Sequence, residues 1–307
     1  MKMMKMHTLS ALALSTALFA LSSPAMAQNS QEAPATAPQV SDPIVVEGVR
    51  EERRKVIRKY ADTITRRPRV DKPVERFLQP LCPKVSGMKE AYAKVIENRV
   101  RANAQAVEIN VAEADCKPNI YIMFLRNADE ELRMAAKNDS ELFESLLSYQ
   151  KDRVFDETGP VRAWNYAEVR DDRGRALAYD TSKGSRGAAI NKTAAATRLR
   201  SPVSMETMAA IVVFDVSALP GRSLNQLADY ATMRVLAPVR EVSDPSGAPF
   251  DSILSLFADD FAPQELTVFD RAYLQTLYNN PATLNPLDLY ARVATAMDKM
   301  ENNETLD

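Results

Sequence analysis

Few residues in this 307-residue chain have the type and spacing to do chemistry. Ser148-Tyr149-Gln150-Lys151 has the S-x-x-K spacing of a serine nucleophile with a lysine base one turn on. That mechanism needs the Ser at the start of a helix. The pattern here predicts that Ser148 ends one, from 140 to 149. Asp180-Thr181-Ser182 has the first two residues of an aspartic-protease loop but lacks its Gly, and no second copy follows to share a proton. Asp259-Asp260 reads as a turn, although paired carboxylates for glycoside hydrolysis can come from any two places in a chain. Gly-rich phosphate loops, dinucleotide fingerprints, calcium loops and G-x-S-x-G elbows are all missing from the sequence.

The histidine count excludes more than any motif. The single His is His7, in the leader described below. Ser-His-Asp and Cys-His catalysis, histidine general bases and His-ligated zinc or copper are therefore not expected. Two cysteines, Cys82 and Cys116, lie far from any C-x-x-C pattern. An isolated pair in an exported chain predicts a disulfide. It would close a loop of about 35 residues and stabilise the fold by roughly 3–4 kcal/mol.

The elements that would position these residues can be read from periodicity. Ala209-Ala210-Ile211-Val212-Val213-Phe214-Asp215-Val216 is a short β-branched strand, and Leu219-Pro220-Gly221 breaks it. Ser223 then opens a helix with Gln226 at the capping-box position, and Leu224, Leu227, Ala228, Ala231 and Leu236 give it a buried face. A helix from Gly87 to Gln105 carries the stripe Met88, Tyr92, Val95, Ile96 and Val100, with Glu97 and Arg101 as an i,i+4 pair. Asn119 to Leu125 reads as a buried strand and Glu130 to Ala136 as a short helix. Val161 to Glu168, with the only Trp, reads as a strand leading into an Asp171–Gly174 turn and a return strand Ala176–Tyr179. Thr181 to Arg200 reads as a loop. Thr267 with Asp270 caps a helix from Val268 to Tyr278, and Asn285-Pro286 starts the last one, to about Met300. Residues 301–307 read as a polar tail.

Met1 to Ala27 has the parts of a secretion signal: Lys2 and Lys5, an apolar run from Ala11 to Leu21, and Ala25-Met26-Ala27. Residues 28–43 are rich in Gln, Ser, Ala and Pro and read as a linker, leaving a single globular domain over 44–300. The net charge of −2 becomes two units more acidic without the leader lysines, which gives no reason to expect nucleic acid as a partner. Arg50 to Arg69 is basic but interspersed with Glu51, Glu52 and Asp62; Val56, Ile57, Tyr60 and Ile64 share a face, as in a solvated amphipathic helix open to a partner or membrane surface. Ile44-Val45-Val46-Glu47-Gly48 reads as an extended segment leading into the fold. It also resembles the short stretch near the mature N-terminus of TonB-dependent receptors that pairs with TonB as an added strand, although no barrel pattern follows.

Two sets of residues carry a wider resemblance. Asp251-Ser252-Ile253-Leu254 and Leu266-Thr267-x-x-Asp270-Arg271-Ala272-Tyr273-Leu274-x-x-Leu277-Tyr278 resemble the C-terminal half of a zincin-like, metzincin-related group of exported bacterial proteins. Arg76-Phe77-x-x-Pro80-x-Cys82-Pro83-x-Val85-x-Gly87 and Cys116-x-Pro118-Asn119 are similar to an uncharacterised exported proteobacterial family with the same C-terminal half. The resemblance implies an α+β, zincin-like twisted sheet packed with helices. A working zincin has H-E-x-x-H on its central helix. Those positions fall here on Gln226, Leu227 and Tyr230, and the third metzincin histidine falls near Leu236. The metal site is thus expected to be degenerate, with no cofactor and with Gln226, Asp229 and Tyr230 either lining a remnant cleft or forming a cap and a solvated face. The resulting expectation is a periplasmic or secreted, non-catalytic protein that binds an envelope protein or cell-wall ligand. The alternative is a metal-independent hydrolase using carboxylates or the Ser148–Lys151 pair.

Overall fold

The computed structural model describes residues 43–66, 72–138, 141–144, 146, 148–179, 189–190, 201–258 and 262–304. The predicted leader, the linker up to 42, Asp180-Thr181-Ser182, Asp259-Asp260 and residues 305–307 lie outside them. Among the described residues no helix is long and apolar enough to cross a membrane.

The fold is α+β, a four-stranded mixed sheet with helices on both faces. Strands β1 (Pro83–Ser86), β2 (Ile120–Leu125), β3 (Val161–Asp171) and β6 (Val203–Asp215) lie in the order β1-β2-β6-β3. The first two and β6 are parallel, and β3 runs antiparallel along β6. A register shift falls between Tyr166 and Ala167. Side chains alternate along a strand, so each strand serves both faces. Ile120, Ile122, Phe124, Ala210, Val212, Phe214, Val161 and Ala163 join the larger core. Helices α2 (Glu90–Ala106) and α6 (Leu224–Leu236) belong to the same core, as do α1 (Pro43–Ile64), α7 (Val268–Tyr278) and α8 (Pro286–Glu304). Ile211, Val213 and Trp164 face the other way. There they join a smaller core with residues of three short helices: α3 (Ala128–Lys137), α4 (Glu141–Glu144) and α5 (Ser148–Asp156).

Several expectations are corrected by this arrangement. The segment 44–48 is not extended: α1 begins at Pro43 and runs through it. Local β-branching at Ile44-Val45-Val46 favours a strand, but the helix nucleated by the residues that follow extends back over it. Along α1 the buried residues are Ile57, Tyr60, Ala61 and Ile64, while Val56 stays exposed. In α2, Tyr92 and Val95 of the predicted stripe are exposed; Ala93, Ile96, Val100, Asn103 and Ala104 are the buried face. Glu97 accepts a hydrogen bond from the Val85 backbone, and Arg101 donates to the Ala112 carbonyl. Both therefore have partners outside the predicted pair.

β6 starts six residues before the predicted strand, at Val203. Its first half hides polar residues: Glu206 is buried against Arg170, and the Thr207 backbone pairs with Arg76. β3 likewise runs on to Asp171. The turn at 171–174 forms as predicted, but among the described residues the return strand pairs with β3 only at the isolated Arg170–Ala176 bridge. β4 (Ala178–Tyr179) pairs instead with β5 (Ala189–Ile190), inside the predicted loop. α8 continues through Glu304, taking in most of the expected tail.

Cys82 and Cys116 form the disulfide. Around it Asn119 accepts from the Cys82 backbone and donates to the Pro80 carbonyl, tying the start of β1 to the start of β2. Gly87 ends β1 with φ +85°, and a Cβ there would lie 2.1 Å from the Phe124 carbonyl oxygen, so only glycine fits. Replacing both cysteines with serine is expected to lower stability by about 3–4 kcal/mol, seen as a drop in the denaturant midpoint; reductant should shift the native protein and leave the double variant unchanged.

Candidate functional site

β6 leads directly into α6, and the turn between them is held locally. Asp215 caps the short 3-10 turn Val216–Ala218 by accepting from the Ser217 backbone. Ser223 then forms the predicted reciprocal box with Gln226: each side chain accepts the other residue's backbone N–H, at 3.1 and 3.0 Å. From Gln226 to Leu236 every residue of α6 is buried. A helix enclosed on all sides has no polar face to spare, so each polar residue on it must find a partner.

The three candidate residues find different ones. Gln226 uses its amide nitrogen on the Pro263 carbonyl. Asp229, fully buried, takes a bidentate pair from Arg99 at 2.8 and 2.9 Å, the Asn103 amide at 2.6 Å and the Leu266 backbone N–H at 3.1 Å. Tyr230, also fully buried, accepts from Arg234 Nη1 at 2.7 Å and stands edge-on to Phe257. Burial pushes its phenol pKa up, while the Arg234 cation and its hydrogen bond oppose the rise. Gln226 and Asp229 fasten the 263–266 segment, and Tyr230 serves a separate cluster. All three are buried, so they form no solvated face. Leu227 and Leu236 lie in the core.

The motif residues are also structural. Asp270, fully buried, accepts from Ser252 Oγ at 2.6 Å, from the Ile253 backbone at 2.8 Å and from the Thr267 backbone at 3.0 Å. Thr267 in turn donates to the Asp251 carbonyl. The D-S-I-L and L-T-x-x-D pieces are thus two halves of one hydrogen-bonded joint. Arg76 donates to the Leu277 carbonyl, and Tyr278 Oη accepts from the Phe77 backbone while donating to the Leu236 carbonyl.

The S-x-x-K spacing is corrected in one respect: Ser148 opens α5 rather than ending a helix, so Lys151 does lie one turn on. Ser148 is exposed, however, and Tyr149 beside it stacks under Arg153 on the surface.

A charged cleft of about 720 Å³ was not visible in the sequence. It is lined by Asp62, Arg66, Arg153, Glu157, Arg240 and Glu241, among others. Glu157 is its hinge: Arg234 binds it at 2.8 and 2.9 Å, and Arg66 pairs with it as well. Burial and the nearby Arg234 and Arg240 charges push the Arg66 guanidinium pKa down. Glu75 is partly exposed as a residue, but its carboxyl is drawn out of water beside Asn165. Burial raises its pKa to about 7, against the lowering by Asn165, Arg66 and Arg153. Arg66 lies in the basic run that reads as a solvated helix; it turns inward because α1 ends two residues before it.

Comparison with protein-family models, with curated proteins and with solved structures finds no match.

Asp229→Ala is expected to lower stability by about 3–5 kcal/mol in urea unfolding with little change in slope, since Asn103 and the Leu266 N–H lose their buried acceptor. A second test concerns Glu75. Its raised pKa means the folded state binds the proton more tightly than the unfolded chain. That stabilisation is complete below about pH 4.5 and is lost as pH rises through about 7. Glu75→Gln should therefore gain on the native protein between about pH 5 and pH 8, by on the order of 2 kcal/mol, as read from unfolding midpoints.

Proposed function

We propose that this chain is an exported, non-catalytic protein of the bacterial envelope, with a zincin-like fold whose metal site is lost and with a binding or structural role. The observation that carries the reading is the state of α6. Of the positions where the resemblance would place zinc ligands and the general base, Gln226 is spent on a cap and a backbone carbonyl, Leu227 is core, and Tyr230 is bound to Arg234. Leu236, near the third ligand position, is core as well. These residues do not fit a zinc ion, which takes Cys, His or carboxylate donors. Among the described residues no cluster of His, Cys, Asp or Glu is placed to hold one. The parallel strands with an antiparallel edge strand, and a capped helix leaving the central strand, support the zincin-like reading. The predicted leader and the disulfide support a periplasmic or secreted location.

The second reading is a metal-independent envelope hydrolase. The charged cleft favours it, because Glu157 and Glu241 line the same space. Against it, Glu157 is already bound by two arginines.

The test is elemental analysis together with turnover assays on cell-wall glycan and on peptide substrates. The expected result is no stoichiometric zinc and no turnover. About one tightly held zinc per chain, or turnover abolished by Glu157→Gln or Glu241→Gln, would overturn the proposal. In parallel, Gln226→Ala should lower stability by about 1 kcal/mol or less and Leu227→Ala by roughly 2–5 kcal/mol. The reverse order would mean that α6 does not bury the face described.

A further inference from the structure

We infer that the open half of the sheet's smaller face is a carbohydrate site that takes an N-acetylated amino-sugar glycan. The strand register builds it. Tyr121 on β2 pairs with Ile211 on β6, and Ile211 pairs with Trp164 on β3. One step along, Ala209 pairs with Tyr166. All five side chains leave the sheet on the same side. The short helices cover only part of this face. The part they leave is a groove of about 490 Å³, walled by Glu141, Leu142 and Leu146. That volume is in the range of small-molecule sites.

Three observations select the ligand. First, the floor and rim are aromatic. Tyr121 is 37% exposed, and Trp164 is stacked against Phe143 at 5.2 Å, which holds the indole in place. Flat, rigid rings with polar tips suit a pyranose, whose C–H face is apolar and whose edge carries hydroxyls. Second, Trp164 Nε1 is buried with no acceptor among the described residues. A buried donor without a partner is destabilising. An acetamido carbonyl supplies such an acceptor, and its methyl group suits the apolar wall of Leu142 and Leu146. A plain acyl chain would leave the N–H unsatisfied. Third, among the described residues Glu141 is the only charged one lining the groove, with no Arg or Lys. A phosphate or an acidic ligand has no counter-charge there, whereas a carboxylate accepts well from neutral hydroxyls.

The inference gives the binding reading above a ligand and rests on it only for the envelope setting. Trp164 is the only tryptophan in the chain, so intrinsic fluorescence reports on this groove alone. The full chain without its leader should be titrated with triacetylchitotriose, with cellotriose as the control lacking acetamido groups. The expected result is a saturable change in emission with the acetylated trimer and at least tenfold weaker binding of cellotriose. Tyr121→Ala and Glu141→Gln should each weaken the acetylated trimer at least tenfold with an unchanged thermal midpoint, because both residues lie at the rim. No emission change up to about 10 mM trimer would overturn the inference. So would equal binding by Tyr121→Ala, or saturation by a lauryl detergent or an amphipathic peptide in place of the sugar. Cleavage of the trimer, followed by mass spectrometry, would instead overturn the non-catalytic reading and leave the binding site standing.

Discussion

The carboxylate of Asp229 is fully buried, and the groups that satisfy it come from two other parts of the chain. Arg99 and Asn103 reach it from α2, Leu266 from the segment before α7, and Asp229 itself belongs to α6. An unpaired charge so placed would be prohibitively unfavourable, so α6 can occupy its position only when α2 and the 263–266 segment occupy theirs. Asp270 repeats the device a short way on. Between them the two acids fix the helices over the larger face of the sheet relative to one another. Hydrophobic burial drives the layers together; these carboxylates decide the register in which they meet.

The two faces of the sheet are finished differently. Over the larger one, five helices contribute to a continuous core. Over the smaller one, three short helices leave Tyr121, Trp164 and Tyr166 lining an open groove. The charged cleft is a third environment, where Arg66 and Arg234 converge on one glutamate. The chain therefore offers an aromatic surface edged by one carboxylate, Glu141, and a second, densely charged one.

What could be read from the sequence was local. Both capping boxes, the β2 strand, α7 and the isolated cysteine pair are set by residues near one another or by simple counting, and the structure has them. The fate of Asp229 was not legible, because its partner Arg99 lies 130 residues away and an Asp on a helix ordinarily means a wet face. The same holds for Glu75, Arg66 and Glu157, whose types read as surface. The start of β6 was missed because Glu206 and Thr207 interrupt its apolar pattern; they are buried only because Arg170 and Arg76 meet them from elsewhere. The D-S-I-L and L-T-x-x-D pieces were legible as motifs. Their meaning, one joint built around Asp270, needed the third dimension.

The docking of α1 on α8 constrains the order in which the chain can mature. Arg53 and Arg54 on the first described helix bind Asp298 and Glu301 on the last, 244 to 248 residues away. Tyr60 lies against Phe269, and Thr65 shares a hydrogen bond with Tyr273. A chain made from its N-terminus emerges with α1 long before this surface exists. Its apolar face, Ile57, Tyr60 and Ile64, must wait uncovered while the sheet and α6 assemble. The first described helix to be made is thus among the last whose apolar face can be covered.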